Sequence, residues 1–247
     1  MHIQGVSMID QGTGAPRSPR RATRLVVAPH VGDETLGCGG VLAKHGEDAV
    51  VVILAEPDER RREQLAAAQQ ELGRPPATVL GVSRRHLGED MDLLVGMLAD
   101  LLAMVQPSIL YLPFPSNHHD RAVAYETGMR AVRAPYGHGA RHPVTVLAYD
   151  VGAVEVSEYA DDVRWNVRET LDELDVERKT AAATAYGSPL AGGLRRNARL
   201  VGEAGNVDWA EQFAVVRMSP GHRATYRDET GAARRHVRSG VVVGGRR

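Results

Sequence analysis

The stretch from Arg24 to Gly40 constrains the fold of this chain more than any other part of it. It reads RLVVAPHVGDETLGCGG, in which an apolar run is followed by a Pro-His break, by Asp33 and Glu34, and by a glycine-rich segment. The apolar run predicts a buried β-strand, and the segment after the acidic residues predicts a helix. In α/β proteins, ligand sites lie where such a strand ends and turns into a helix. The stretch therefore predicts an α/β fold with a site directly after its first core strand.

Apolar runs of strand length alternate with helical patterns along the chain. The predicted strands cover residues 25–29, 49–54, 78–82, 108–112, 144–149 and 211–218, and the predicted helices cover 35–45, 57–73, 91–105, a segment from about 120, 169–186 and 190–201. This alternation implies right-handed βαβ units and a mostly parallel sheet. We therefore expect a single Rossmann-like α/β domain over residues 24–220, with a mostly parallel sheet flanked by helices.

The two ends of the chain differ in composition from this central region. Residues 1–23 contain Gly, Pro, Ser and Arg in place of apolar periodicity, which predicts a flexible N-terminal leader. Residues 221–247 form an Arg- and Gly-rich C-terminal segment. The leader lacks the apolar core of a signal peptide, and no stretch of the sequence has the length and apolarity of a membrane span. We therefore expect a cytoplasmic protein.

The charge and the aromatic content argue against several classes of partner. The net charge is −1, and 2 Phe and 2 Trp occur without basic residues interleaved among them. We therefore expect neither nucleic-acid binding nor membrane binding. The single cysteine, Cys38, has no internal disulfide partner, which agrees with a reducing compartment. The segment GCGG lacks the G-K-[ST] of a phosphate-binding loop, so it is weak evidence for nucleotide binding.

A second polar loop follows the strand predicted at 108–112. Because ligands of parallel sheets bind beyond the carboxyl ends of the strands, this loop and the one after the first strand can lie on the same rim. A hydrolytic zinc site needs about three nitrogen or oxygen ligands and an open position for water. The two loops supply imidazole and carboxylate groups, which suit zinc. These candidate ligands are His30, Asp33, His118, His119 and Asp120.

The same residues have a second interpretation that involves no ligand. Asp33 or Glu34 can simply cap the helix that follows, because carboxylates stabilise helix N-termini. The His118-His119 pair can equally be part of a solvated loop. The spacing of the residues leaves both interpretations open.

The stretch PHVGDETLGCGG resembles the signature of the LmbE/PIG-L family of zinc-dependent N-deacetylases, whose usual form reads P-H-P/V-D-D-E-x-L-G-C-G-G. The likeness covers roughly residues 24–218 and includes an R-x-x-E helix from Arg60, a strand that leads to a motif of the type H-x-D-H-R-A-V, and a later helix with Lys179. It implies an α/β domain of LmbE/PIG-L type. It also implies zinc-dependent removal of an acyl group from an amino sugar or a small-molecule amide, as in secondary metabolism.

The first motif implies specific roles for its residues. In the family, the His and the second Asp of this motif bind zinc, and the first Asp is the general base that activates water. Carried over by position, His30 and Asp33 match two zinc ligands, and Gly32 stands where the base would be. Since glycine has no group that takes a proton, the loss of the base should cost about 10²–10⁴-fold in rate.

The second motif can be aligned in two registers. In the family, its last His is the third zinc ligand and its first His assists the oxyanion and the leaving group. One register puts Asp120 at the third ligand and Asn117 at the assisting position. The other keeps His118 as the assisting histidine and puts Arg121 at the ligand position. In neither register is the third ligand a histidine.

Three functions follow from these matches and departures. The first is a zinc-dependent N-deacetylase-like hydrolase with an altered site, with zinc on His30, Asp33 and Asp120. The second is a family member repurposed for different, metal-independent small-molecule chemistry, and the third is a non-catalytic binding protein. In each, the expected partner is a small, sugar-bearing molecule, and a homo-oligomer is compatible with the sequence. The candidate acid/base residues are His118 and His119, and the candidate substrate-binding residues are Arg60, Asn117 and Arg121.

Overall fold

The described part of the chain is built on a central β-sheet with helices on both faces. The computed structural model describes residues 7–9, 23–83, 87–115, 118–133, 145–151 and 164–218. The strands are β1 (Ser7–Ile9), β2 (Arg24–Ala28), β3 (Ala49–Ala55), β4 (Ala77–Val82), β5 (Ile109–Pro113), β6 (Thr145–Tyr149), β7 (Val167–Leu171) and β8 (Trp209–Met218). The helices are α1 (Asp33–His45), α2 (Glu59–Glu71), α3 (Met91–Val105), α4 (His119–Ala131), α5 (Glu173–Ala185) and α6 (Ala191–Ala204), and a 3-10 turn covers Gly46–Asp48.

The order of the strands in the sheet is β1-β4-β3-β2-β5-β6-β8-β7. The five strands from β4 to β6 are parallel, and β1, β7 and β8 pair antiparallel at the two ends. The predicted α/β class with a mostly parallel sheet is therefore confirmed. The chain reverses its direction of travel across the sheet between β2 and β5, which is the point where ligands bind in open α/β sheets.

The residues of β2 alternate between two hydrophobic cores, as the period of two in a strand requires. Leu25 and Val27 pack on the side of α3 and α4. Val26 and Ala28 pack on the side of α1, α2 and α5. All four side chains are fully buried, because a central parallel strand is covered by helices on both faces.

The helix predicted at 169–186 begins later than its sequence pattern suggests. Residues Val167–Leu171 form β7, with Glu169 and Leu171 buried, and α5 begins at Glu173. A reciprocal pair of hydrogen bonds sets this start, since the backbone N–H of Asp175 donates to Asp172 at 2.8 Å and that of Asp172 donates to Asp175 at 3.0 Å. Such a capping box fixes the first turn of a helix. The prediction was wrong here because the leucine spacing of 171 and 174 fits a helix.

The short strand β1 lies within the stretch predicted as a flexible leader. Its backbone pairs antiparallel with β4, with Ser7 opposite Val79. The remainder of residues 1–22 and the C-terminal segment 221–247 lie outside the described residues, so their predicted character stays a prediction. None of the helices in the described part of the chain has the length and apolarity needed to cross a membrane.

Candidate functional site

The loops after β2 and β5 meet at the rim of the sheet, where the strand order reverses. His30 lies two residues beyond β2, and Asp120 lies in the first turn of α4, which follows β5. The Nε2 atom of His30 lies 2.6 Å from Oδ2 of Asp120, and both side chains are about one-fifth exposed. The contact joins residues that are 90 positions apart in sequence. A hydrogen bond of this length to a carboxylate is charge-assisted and belongs to the strong class.

A second contact crosses the same gap beside the first. Asp33 is the first residue of α1, and Nη2 of Arg121 donates to its Oδ1 atom at 3.4 Å. The side chain of Arg121 is 17% exposed and that of Asp33 is 13% exposed. Burial raises the pKa of the Asp33 carboxyl above its ordinary value, and the positive charge of Arg121 opposes this shift. The neighbouring residues Asp120 and Arg121 thus both contact the first loop, at His30 and Asp33.

Glu34 holds the first loop in place and points into the protein. Its carboxylate accepts hydrogen bonds from the backbone N–H of Gly32 at 2.7 Å, from the hydroxyl of Thr35 at 2.9 Å and from the hydroxyl of Tyr186 at 2.7 Å. The residue is only 2% exposed. Burial raises its pKa, and the hydrogen bond from Tyr186 is the main opposing effect. Glu34 is therefore a bracing residue, and it does not line the pocket described below.

Gly32 has a backbone conformation that side chains rarely adopt. Its φ is +100°, and its carbonyl accepts the hydrogen bond from Leu36 that begins α1. A Cβ atom added to Gly32 would lie 3.7 Å from Cγ of Tyr186, which is ordinary contact. The position has room for a side chain, and the strain of any substitution there comes from the backbone.

A small pocket of about 100 Å³ opens where the two loops meet. It is lined by His30, Val31, Asp33, Ala55, Glu56, Pro57, Arg61, His118 and Arg121. The ring of His118 stands edge-on to that of His30, with 6.3 Å between the ring centroids. Asp120 contacts His30 at the edge of this pocket. The pocket therefore presents imidazole, carboxylate and guanidinium groups to one small volume.

Three of the described site residues predicted from the sequence do not line the pocket: His119, Arg60 and Asp120, the last of which reaches it only through its contact with His30. His119 is exposed and packs against the turn at Gly88, where an added Cβ would lie 3.0 Å from the His119 Nε2 atom. Arg60 is exposed on α2, and the neighbouring Arg61 lines the pocket in its place. Asn117 lies outside the described residues.

The chain matches no protein-family model and no curated protein, but it is similar to several solved structures. One is the conserved protein TT1542 from Thermus thermophilus, with 24% identity, a TM-score of 0.66, and coverage of 82% of this chain and 100% of that chain. The 4-carboxy-2-hydroxymuconate hydratase GalB from Pseudomonas putida KT2440 has 22% identity, a TM-score of 0.65, and coverage of 80% and 97%. The N,N'-diacetylchitobiose deacetylase from Pyrococcus horikoshii has 18% identity, a TM-score of 0.60, and coverage of 84% and 91%.

Deacetylases of the teicoplanin biosynthetic pathway share the arrangement too, at 15–18% identity. The chain has the LmbE/PIG-L fold. At these identities the likeness establishes the fold alone. The prediction of this fold from PHVGDETLGCGG is confirmed.

The glycine-rich segment of the LmbE/PIG-L motif serves close packing here. A Cβ atom added at Gly37 would overlap the ring of Tyr149, and one added at Gly40 would lie 2.8 Å from the carboxyl carbon of Glu211. That carboxylate accepts hydrogen bonds from the backbone N–H of Gly40 at 2.7 Å and of Val41 at 2.8 Å. The small residues let α1 lie directly on its neighbours, which explains GCGG without a phosphate.

Zinc is the cofactor that the LmbE/PIG-L resemblance implies, with His30, Asp33 and Asp120 as its predicted ligands. Within the described ranges, no three His, Cys, Asp or Glu side chains are grouped so that they could hold one metal ion. The Nε2 atom of His30 is engaged with Asp120, and Asp33 faces the fixed positive charge of Arg121. A guanidinium has no lone pair to offer a metal. As they are arranged, these residues do not fit a zinc ion.

Arg61 is a pocket residue that sequence reasoning missed, although the sequence holds a signal for it. Asp58 caps α2, since its side chain accepts a hydrogen bond from the Arg61 backbone N–H at 2.8 Å. Leu65 and Ala68 form the buried face of this helix. Arg61 lies four residues before Leu65, so it projects on the inward face, whereas Arg60 is turned about 100° away from it.

Proposed function

We propose that this chain is a hydrolase of LmbE/PIG-L type that removes an acyl group from a small, sugar-bearing amide, with an altered catalytic site. The observation that carries this proposal is the 2.6 Å contact between His30 and Asp120, which brings the two polar loops together at the switch point of the sheet. The deacetylase of N,N'-diacetylchitobiose has the same fold. A pocket of about 100 Å³ accommodates an acetyl group and the amide attached to it.

In this proposal His118 carries the proton transfers. It lines the pocket, and its imidazole takes a proton from a water molecule whose oxygen attacks the amide carbon. The same proton then passes to the leaving nitrogen as the carbon–nitrogen bond breaks. His30, held by Asp120, bounds the pocket beside His118. The guanidinium of Arg121 stabilises the negative charge that develops on the carbonyl oxygen.

Hydrolysis by the purified full chain tests the proposal directly. Acylated amino sugars are incubated with the protein, and the release of acetate is measured. His118→Asn should lower the rate by about 10²-fold or more, because it removes the acid/base group. His119→Asn is the matched control, since its side chain is adjacent in sequence and lies outside the pocket. Release of no acetate from any acylated amino sugar, or equal rates for the two variants, contradicts the proposal.

A second candidate function is the binding of a small molecule without turnover. Gly32 offers no base, and the carboxylate of Asp33 is occupied by Arg121. These two observations favour a pocket that keeps its ligand and has lost the reaction. An increase in melting temperature with an acylated amino sugar, without any product, supports this function over hydrolysis.

A further inference from the structure

We infer that the guanidinium of Arg121 takes the place of a metal ion in this pocket, so that the cation of the site is part of the chain itself. The inference deepens the proposed function and rests on it for the identity of the pocket. It concerns the charge that faces Asp33, and it is tested by metal binding and stability, so that it can fail separately from hydrolysis.

Arg121 lies against the carboxylate of Asp33. Its Nη2 atom lies 3.4 Å from Oδ1 of Asp33, and both side chains are more than four-fifths buried. Asp33 is one of the two residues that match metal ligands in the LmbE/PIG-L motif. A buried carboxylate needs a compensating positive charge, and here that charge comes from the first turn of α4.

His30 also has a partner on α4. The other matching ligand atom, Nε2 of His30, is 2.6 Å from Asp120, which is a hydrogen-bond distance. Asp120 and Arg121 are consecutive, so one turn of α4 supplies a carboxylate to His30 and a guanidinium donor to Asp33. Each ligand candidate on the first loop therefore has a protein partner of the complementary kind.

Arg121 and a divalent cation would compete for Asp33. A metal ion bound to this carboxylate would lie within a few ångströms of a guanidinium whose charge cannot be removed by deprotonation. In a largely buried site, like charges at that separation repel strongly. Binding of a metal would thus require Arg121 to leave the pocket, where its charge now offsets that of Asp33.

Metal content and thermal stability of the full chain test this inference. The protein is dialysed against zinc, its bound zinc is measured by mass spectrometry, and its melting temperature is recorded with zinc and with EDTA. The wild type should hold far less than one zinc per chain, and EDTA should leave its melting temperature unchanged. Arg121→Gln should melt at a lower temperature without metal and bind zinc at least about tenfold more tightly than the wild type, because the repelling charge is gone. Zinc should then raise the melting temperature of this variant.

Arg130→Gln is the matched control, because Arg130 lies on the same helix and makes an exposed contact with Glu126. It should behave as the wild type does toward zinc. The double variant Asp33→Asn with Arg121→Gln removes both charges, and it should fold and bind no zinc. If this double variant binds zinc as tightly as Arg121→Gln does, then Asp33 is not the residue for which Arg121 and zinc compete.

Stoichiometric zinc in the wild type, lost together with stability on adding EDTA, overturns the inference. So does an Arg121→Gln variant whose zinc affinity equals that of the wild type. If Arg121→Gln fails to fold, the zinc content of the wild type decides alone. If the zinc results are as expected but no acetate is released, the proposed hydrolysis is wrong. The inference about Arg121 then still holds.

Discussion

The ammonium group of Lys179 on α5 donates a hydrogen bond to Oε1 of Glu211 on β8 at 2.7 Å, with both residues only 6% exposed. The same carboxylate accepts from two backbone N–H groups in the middle of α1, at Gly40 and Val41. One buried acid therefore connects two helices and a strand that come from distant parts of the sequence. Because the pair is buried, the loss of either partner leaves a charge that water cannot reach.

Lys179→Met should destabilise the protein by about 3–5 kcal/mol, because Glu211 then lacks its buried cation. The free energy of unfolding in urea measures this change. Arg195→Met is the matched control: Arg195 pairs with Glu173 in an exposed contact, so its loss should change stability by about 1 kcal/mol or less. Equal effects of the two substitutions would show that burial of the Lys179 pair has no energetic consequence.

Gly37→Ala should destabilise the protein by about 1–3 kcal/mol or more, since the added methyl group overlaps the fully buried ring of Tyr149. That ring has little freedom to move, because its hydroxyl donates to the carbonyl of Val27 at 2.7 Å. Gly96→Ala, on α3, should instead stabilise the protein by about 0.5–1 kcal/mol, because in the described part of the chain its added Cβ meets no atom within 4 Å beyond its chain neighbours and the backbone of its own helix. Thermal unfolding measures the stability of both variants. A Gly37→Ala protein as stable as the wild type would contradict the predicted overlap with Tyr149.

The protein should become less stable in acid as the carboxylate of Glu169 is protonated. Burial opposes ionisation of this carboxyl, but the hydrogen bond from His45 at 2.9 Å and the nearby charge of Lys44 outweigh it and lower the pKa of Glu169 to about 2. Since this value lies below the ordinary 4.5, the stabilisation is complete above about pH 4.5 and is lost as the pH falls toward 2. Urea unfolding between about pH 5 and pH 2 should show a steeper loss for the wild type than for Glu169→Gln. Parallel curves for the two proteins would refute the role of Glu169, and Glu126→Gln serves as an exposed control.

The arginine that contacts the substrate should be Arg61. Because Arg61 lines the pocket and Arg60 does not, Arg61→Ala should raise KM, or the Kd of a bound amino sugar, by about tenfold. Arg60→Ala should change it less than about twofold, as expected for an exposed charge. Calorimetric titration of the wild type and both variants measures these values. A larger effect of Arg60→Ala than of Arg61→Ala would instead support Arg60, which the sequence motif assigns as the substrate-binding arginine.

The fold was predictable because its central strands are buried on both faces. Continuous apolar runs such as 25–29 and 49–54 are typical of such strands, and the helices between them show one apolar face each. The edge strand β7 was not predictable in the same way. Its sequence, VRETL, turns Glu169 inward, and a buried acid is favourable only with the partners His45 and Lys44, which lie far away in sequence.

The site was predictable in its location and less so in its chemistry. The motif placed His30, Asp33 and His118 at one rim because parallel strands end together. The pairing of Arg121 with Asp33 depends on how the first turn of α4 faces the first turn of α1, which sequence spacing does not determine. The same holds for His119, whose neighbour His118 points into the pocket while His119 packs on Gly88.

The carboxylate of Glu211 fixes the position of helix α1. Asp33 at the start of this helix and Gly40 in its middle are seven residues apart, which is about 10 Å along a stiff rod. The middle of the helix is hydrogen-bonded to Glu211 on the antiparallel strand β8, and Asp33 at its start lines the pocket. The position of Asp33 therefore depends in part on Glu211, a buried residue that does not line the pocket.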